Sequence, residues 1–502
     1  MIFGLGLIKL LLHFFTNTNY NLHRDEFLYF EEGQHLSWGF FETPPFTPFL
    51  GWIADLLGGS VFAIRLFPAL AGAIIVILAC KLARDLGGGK WAILFTGIAL
   101  IFSPSLLGSN TLFQPVSFNQ LFWFLSAYVL IKLVKNDIAT NWYVFGICIG
   151  LGFLTKYSIL FYLFSLVVAI MISNIRKMLW SKYFLYAYVI AMLISLPNIL
   201  WQFNHDLPVV QHMQELKDTQ LIYVDWPHFL ESQIRFHFAF SLVWIVGIYG
   251  LFSNSSFKKF RFIGIAFFLT LIIIGFLQGK AYYTLGAFLI LFPFGGVTLE
   301  NIIKNSAIRI ATIAVMLTFS LPVLPFSFPI LKVEQLKSYI GYLDSNLDIK
   351  YKLRWEDDKY YDLPQDIADM HGWEEMVRKV SRIYHSLSKS QKSNCMIYGG
   401  SYAHASAINY YRGKFDLPLA YSFVGSHIFW VEEDLNFDTQ IMIDDQIQES
   451  SKWFSNMIIM DSIQNPNARE KGYIYLRSNP KIDVNKAWKG LVTEEKEKVG
   501  IK

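Results

Sequence analysis

Charge is what this chain has least of. Asp, Glu, Lys and Arg together make up 16% of its 502 residues, against about 25% in an ordinary soluble protein. That leaves too few solvated side chains to cover a single globular body of this size. Cysteine is nearly absent: Cys80, Cys148 and Cys395 are far apart and share no metal-ligand or disulfide spacing. Internal repeats, inverted halves and low-complexity tracts are also missing, which argues against a transporter built from duplicated halves. A net charge of only +4 offers no electrostatic footprint for nucleic acid.

What is present is hydrophobicity, and it is unevenly placed. Apolar residues are 54% of the chain and the mean hydropathy is +0.36. Up to about residue 328 the sequence is a series of apolar runs, and beyond that its composition is ordinary. The pattern predicts a polytopic α-helical membrane domain over 1–328 and a soluble α/β domain over 329–502. Apolar segments fall near 2–15, 61–80, 91–109, 116–134, 142–154, 157–173, 183–200, 237–252, 262–277, 282–299 and 309–328, so about eleven transmembrane helices are expected. The first is short and carries Lys9; it reads as a spanning helix, not a cleaved leader, and a start upstream of the given sequence is compatible with it.

Sidedness follows from the connections. "KLARDLGGGK" (81–90), "KLVKNDIATN" (132–141), "NIRKMLWSK" (174–182), "SNSSFKKFR" (253–261) and "ENIIKNSAIR" (300–309) each carry two or more Lys or Arg. The positive-inside rule makes them cytoplasmic, with the N-terminus. Residues 16–60 and everything after 328 are then expected outside.

The loop 16–60 holds "NLHRDEFLYFEEGQHLSWGFFETPP", with Arg24, Asp25, Glu26, Glu31 and Glu32 crowded beside a bilayer. Acids early in "DEFLYFEEGQHL" suit a helix N-terminus, so the pair Asp25 and Glu26 reads either as a cap or as chemistry. Glu31 and Glu32 read as solvated or structural, and Pro44–Pro45 as a rigid entry to the next segment. Basic residues at the same boundary are Arg65, Lys156 in "GFLTKYS", Arg235 in "WPHFLESQIRFHF" and Lys280 in "LQGKAYY". They read either as snorkelling side chains or as partners for an anionic lipid headgroup such as a polyprenyl phosphate. A carboxylate base opposite a cation-held phosphate is the minimal apparatus for moving a sugar from that lipid to a hydroxyl by a single, inverting displacement. In that reading Asp25 is the base, and Glu26 orients the acceptor or a neighbouring cation.

His205, His212, His228 and His237 match no compact zinc spacing. No metal site or cofactor is expected; a divalent ion is left open without support from the sequence. In the C-terminal region "NCMIYGG", "TQIMIDD", "NMIIMD" and "GYIYLRS" read as strands. "SYAHASAINYYRG" reads as a helix ending at Gly413, after a Gly-Gly turn that matches no phosphate-binding fingerprint. "YYDLPQDIADMHGWEEMVRKV" (360–380) reads as a loop and amphipathic helix able to pack on the membrane domain, and "VTEEKEKVGIK" as a frayed tail.

The stretch from "RDEFLYFEEGQHL" through "ETPPFTPFLGWIADLLGGSVFAIRLFPALAGA" resembles the first outer loop and second helix of the bacterial protein mannosyltransferase and lipid A aminoarabinose transferase superfamily, which has the GT-C fold. Further likeness runs through "GLGFLTKYSILF", "LPNILWQFNHDLPVV", "GKAYYTLGAFLILFPFGG" and "IADMHGWEEMV". The resemblance implies a glycosyltransferase of the bacterial inner membrane, with a polyprenyl-phosphate-linked sugar as donor and a lipid, glycan or protein as acceptor. It places the catalytic acid in the pair Asp25 and Glu26. Aminoarabinose transferases carry a phosphate-contacting Lys before the Pro-Pro, where this chain has Thr43. Phosphate binding is then expected of Lys156, Lys280 and Arg235, with Arg24 and Arg65 as further cations of the site. The readings from other classes are a flippase or transporter of a lipid-linked sugar and a structural assembly factor.

Overall fold

A computed structural model describes residues 1–347 and 353–501. All eleven apolar segments are helical. Five helices are long and apolar enough to cross a bilayer: Val61–Asp85, Pro115–Lys135, Lys182–Asn204, Ser255–Phe276 and Ser306–Phe326. Two more candidates are bent pairs, Trp226–Arg235 with Phe238–Ser253 at 85° and Ala281–Leu289 with Leu291–Ile302 at 53°. The remaining four, Ile2–Thr16, Lys90–Phe102, Ala139–Phe153 and Ile159–Met171, are shorter. A 15-residue helix such as Ile2–Thr16 is about 22 Å long, less than the roughly 30 Å of a hydrocarbon core.

Two boundaries differ from the sequence reading. The segment 91–109 divides at Ser103, because Pro104 disfavours a helical residue before it and starts the new helix Pro104–Ser109. The segment 237–252 is only the second limb of a bent pair that begins at Trp226. Close packing without a water-driven force needs small residues, and the helices supply them. A Cβ on Gly295 would overlap the Val243 backbone, and one on Gly247 the Leu291 backbone. Trp123 stacks on Tyr162 at 4.6 Å in the centre of the bundle.

The first loop contains two helices, Arg24–Gln34 and Phe46–Leu56. His23 and Glu26 form a capping box at the start of the first, and Pro45 is the N-cap of the second, as its fixed φ favours. Glu31 and Glu32 are buried and structural. The C-terminal region holds a five-stranded sheet of β1 (Cys395–Gly399), β2 (Ala420–Tyr421), β3 (Thr439–Asp444), β4 (Phe454–Asp461) and β5 (Tyr473–Pro480). Its order is β2-β1-β3-β5-β4, parallel through β2, β1 and β3 and antiparallel beyond.

Helix Tyr402–Phe415 runs past Gly413 and ends at Asp416, whose φ of +50° closes it. The Gly-Gly turn before it is a tight turn: the Gly400 N–H donates to Ile443 O at 2.8 Å and Ser401 caps the helix. The segment 492–501 is not frayed: it is helical as far as Lys498 and buries Val492 and Val499. Helix Val484–Lys498 buries Val484, Trp488 and Val492, one face at spacings of four, against a cluster with Met396, Tyr421 and Phe454.

The two regions meet along the first loop. Phe27 and Phe30 pack edge-on against Tyr410 at 5.4 and 5.6 Å, Asn409 Nδ2 donates to Glu31 Oε1 at 2.6 Å, and the Arg24 N–H donates to Asp369 O at 3.1 Å. Residues 360–380 do pack on the membrane region, through Asp369 and Trp373.

Candidate functional site

The acidic pair divides by burial. Glu26 is inaccessible, whereas the Asp25 side chain keeps 28% of its surface. Adjacent residues on a helix point about 100° apart, so one can face the interior and the other a cleft. Glu26 Oε1 accepts from Arg65 Nε at 3.0 Å and the Phe113 N–H at 2.8 Å; Oε2 accepts from Arg65 Nη2 at 2.6 Å and the His23 N–H at 2.7 Å. Arg65 spends its other donors on Asn17 O, Tyr20 O and Asn21 O. Glu26 therefore holds Arg65, and Arg65 pins residues 17–21 to the following helix. Arg65 is fully buried and has no face for a substrate.

Asp25 is held differently. The Tyr402 hydroxyl donates to Oδ1 at 2.7 Å and Gln114 Nε2 to Oδ2 at 3.2 Å. Both donors are neutral; among the described residues the carboxylate's ion-pair partner is the His23 imidazole, 3.9 Å from Oδ2, and not an Arg or Lys. Arg24 turns away from it, donating to Glu470 Oε1 at 2.7 Å, with its guanidinium 5.0 Å from the Tyr402 ring centre.

Of the expected cations, Lys156 and Lys280 share a neighbour, His212, with this acid. His212 lies within electrostatic reach of Lys156, Lys280 and Asp25 together; burial and the two ammonium groups push its pKa down to about 4, with Asp25 opposing. The Lys156 ammonium sits 4.3 Å from the Tyr283 ring centre and 5.1 Å from that of Tyr282, and among the described residues it makes no ion pair. Burial, reinforced by Lys280, lowers its pKa to about 7. Lys280 bonds to Glu356 and Gln220. Arg235 is not gathered here. It forms an exposed pair with Glu231 one turn back, 57% accessible, on the limb that the 85° bend turns aside.

A cavity of about 440 Å³ opens beside Lys280 and Tyr282, bounded also by Gln220, His228, Arg354 and Trp355. Asp25 does not line it; Tyr282, beneath Lys156, is the shared wall. Thr43, where the resemblance calls for a phosphate-binding Lys, is buried and bonded to Glu32 Oε2 at 3.3 Å. The four histidines considered as ligands are dispersed: His205 stacks on Trp201, His212 meets Phe41 edge-on, His228 pairs with Asp225, and His237 bonds Ser103 Oγ.

The sequence reading has no place for Tyr402 and Gln114, and takes His212 only as a metal-ligand candidate. Gln114 stands in a short connection next to Pro115, and Tyr402 follows a Gly-Gly turn. Neither residue type signals a role until the fold brings it to Asp25.

The arrangement of helices, first loop and C-terminal sheet is the GT-C fold of a polytopic membrane protein. Superposition on the crystal structures of ArnT from Cupriavidus metallidurans, one apo and one bound to undecaprenyl phosphate, gives a TM-score of 0.59 at 13% identity, over 94% of this chain and 97% of that one. Residues 42–201 match the family described as dolichyl-phosphate-mannose-protein mannosyltransferase. The chain is also 25% identical, over 197 residues, to lipid A galacturonosyltransferase RgtD of Rhizobium johnstonii. That alignment takes in 38% of this chain and spans about two fifths of the relative's length, 41%.

Proposed function

We propose that this chain is an integral membrane glycosyltransferase that moves a sugar from a polyprenyl-phosphate carrier to an acceptor hydroxyl. Asp25 takes the proton of that hydroxyl as its oxygen attacks the anomeric carbon. The bond from that carbon to the phosphate oxygen breaks, and the anomeric centre inverts. The polyprenyl phosphate leaves with its charge held by Lys156 and Lys280. It already carries negative charge, so no acid is needed to protonate it.

One observation carries this reading: an accessible carboxylate, fixed by Tyr402 and Gln114, shares the neighbour His212 with the Lys156 ammonium, which among the described residues has no carboxylate partner. Likeness to an undecaprenyl-phosphate-bound structure and to an enzyme named for lipid A supports a lipid-linked donor and a cell-envelope acceptor. The basic connections support a cytoplasmic N-terminus, with the first loop and the α/β domain 329–502 outside the inner membrane.

Proteoliposomes of known orientation, loaded with radiolabelled polyprenyl-phosphate sugar and an envelope-lipid extract, test the proposal. Label passing to acceptor on the face bearing the first loop supports it. Label crossing the bilayer without transfer identifies a flippase and overturns it.

A further inference from the structure

Helix Tyr402–Phe415, the residue after β3 and the turn before β5 bring His404, Asp445 and Glu470 together. One donor atom from each lies within 4.8 Å of the other two. His404 is fully buried, and among the described residues neither ring nitrogen makes a well-formed hydrogen bond. Its Nε2 is directed at Asp445 Oδ1, 3.5 Å away. Leaving a buried polar group unmatched costs roughly 1–3 kcal/mol, and the rarity of such groups in folded proteins calls for a partner.

The two carboxyl groups are fixed in advance. Asp445 Oδ1 accepts the backbone N–H groups of Lys471 at 3.1 Å and Gly472 at 3.0 Å. Glu470 Oε1 is held by Arg24 at 2.7 Å. Arg24 faces Glu470 with Arg469 in electrostatic reach, and Glu470 in turn hydrogen-bonds to Asp445, beside the His404 imidazole. Two acids this close need a proton or a cation between them.

We propose that His404, Asp445 and Glu470 bind a divalent transition-metal ion, zinc or manganese, with water completing the shell. One imidazole nitrogen and two carboxylate oxygens suit such ions, whereas calcium and magnesium favour all-oxygen sets. The ion ties together three elements of the C-terminal region at the point where they meet the first loop. Arg24 precedes Asp25, and His404 follows Tyr402 by two residues on one helix. The ion therefore sets the position of the helix end that presents Tyr402 to Asp25. The site stands on its own geometry, and its test reads metal content and stability, so its outcome is separate from that of the transferase proposal.

The full chain in detergent, stripped with a chelator and desalted, is incubated with zinc chloride or manganese chloride and assayed for retained metal by mass spectrometry. The expected result is one zinc or manganese ion per chain, with a rise in thermal midpoint of several degrees. H404A and D445N are each expected to weaken retention at least tenfold, and E470Q, which keeps the side-chain volume, to weaken it as well. H385A, an exposed histidine elsewhere, should bind as the parent does. No retained metal and no thermal shift in the parent chain overturns the proposal, as does retention unchanged in H404A and D445N.

Discussion

The Tyr402 hydroxyl donates a 2.7 Å hydrogen bond to Asp25 Oδ1 across 377 positions of sequence. The accessible carboxylate of the membrane region is thus positioned by a side chain of the C-terminal region. Y402F removes the donor and keeps the ring under Arg24. The expected result is a fall in kcat of about tenfold, equivalent to ~1.4 kcal/mol, with donor affinity within about twofold of the parent. Single-turnover rates and donor binding, measured separately, check this; a rise in KM at constant kcat would instead make Tyr402 a binding residue.

Glu26 and Arg65 are a buried pair in which each oxygen of the carboxylate accepts from Arg65 and from a backbone N–H. Removing one member leaves the other charged and desolvated. E26A or R65A should each destabilise the chain by about 3–5 kcal/mol, read as a lowered thermal midpoint in detergent. The double variant should lose less than the sum of the single losses, because the second removal eliminates the orphaned charge. Additive losses would mean that the pair acts as two independent contacts.

Donor binding should depend on pH through Lys156. Its pKa is lowered to about 7 by burial and by Lys280, and an arriving phosphate stabilises the charged form and raises it. Affinity is therefore full below pH 7 and declines as pH rises from 7 toward the raised value of the complex. K156Q should bind donor more weakly and lose that dependence between pH 6.5 and 8.5, as followed by equilibrium binding of the labelled lipid. A parent profile flat over this range would contradict the assignment.

Stability should depend on pH through two acids of the first loop. Glu42, bonded to Ser426, is pushed up from 4.5 to about 7 by burial, against the opposing hydrogen bonds from Ser426. Glu32 is raised too, by burial and then by the charge of Glu42. Between pH 4.5 and 7 the folded state holds more protons than the unfolded one, so stability falls as pH rises through this window. The thermal midpoint should drop from pH 5 to pH 7.5, and E42Q should flatten the change. A midpoint that climbs over the same interval would refute it.

Much of the architecture could be read from the chain because it is written in long runs. Every apolar segment became a helix, since a run of that length has few other ways to satisfy its backbone in a bilayer. Local signals also served: the early acids did cap a helix through Glu26, and Pro45 did begin the next. What the sequence could not supply were relationships across distance. Whether Asp25 or Glu26 faces inward is decided by Arg65, and Arg65 by carbonyls of residues 17–21. Arg235 looked like Lys156 on paper, yet a bend of 85° and a neighbouring Glu231 turn it to the surface. The C-terminal tail reads as frayed because its charges hide the buried Val492 and Val499.

The central claim is that Asp25 performs the proton transfer while other groups hold the lipid. D25N is nearly isosteric and keeps the Tyr402 contact, so its effect on fold and donor affinity should be small. Measured with labelled polyprenyl-phosphate sugar and acceptor under single-turnover conditions, D25N is expected to bind donor within about threefold of the parent and to transfer sugar at least ~10²-fold more slowly, the scale of a lost general base. Transfer at the parent rate with donor bound would contradict the account.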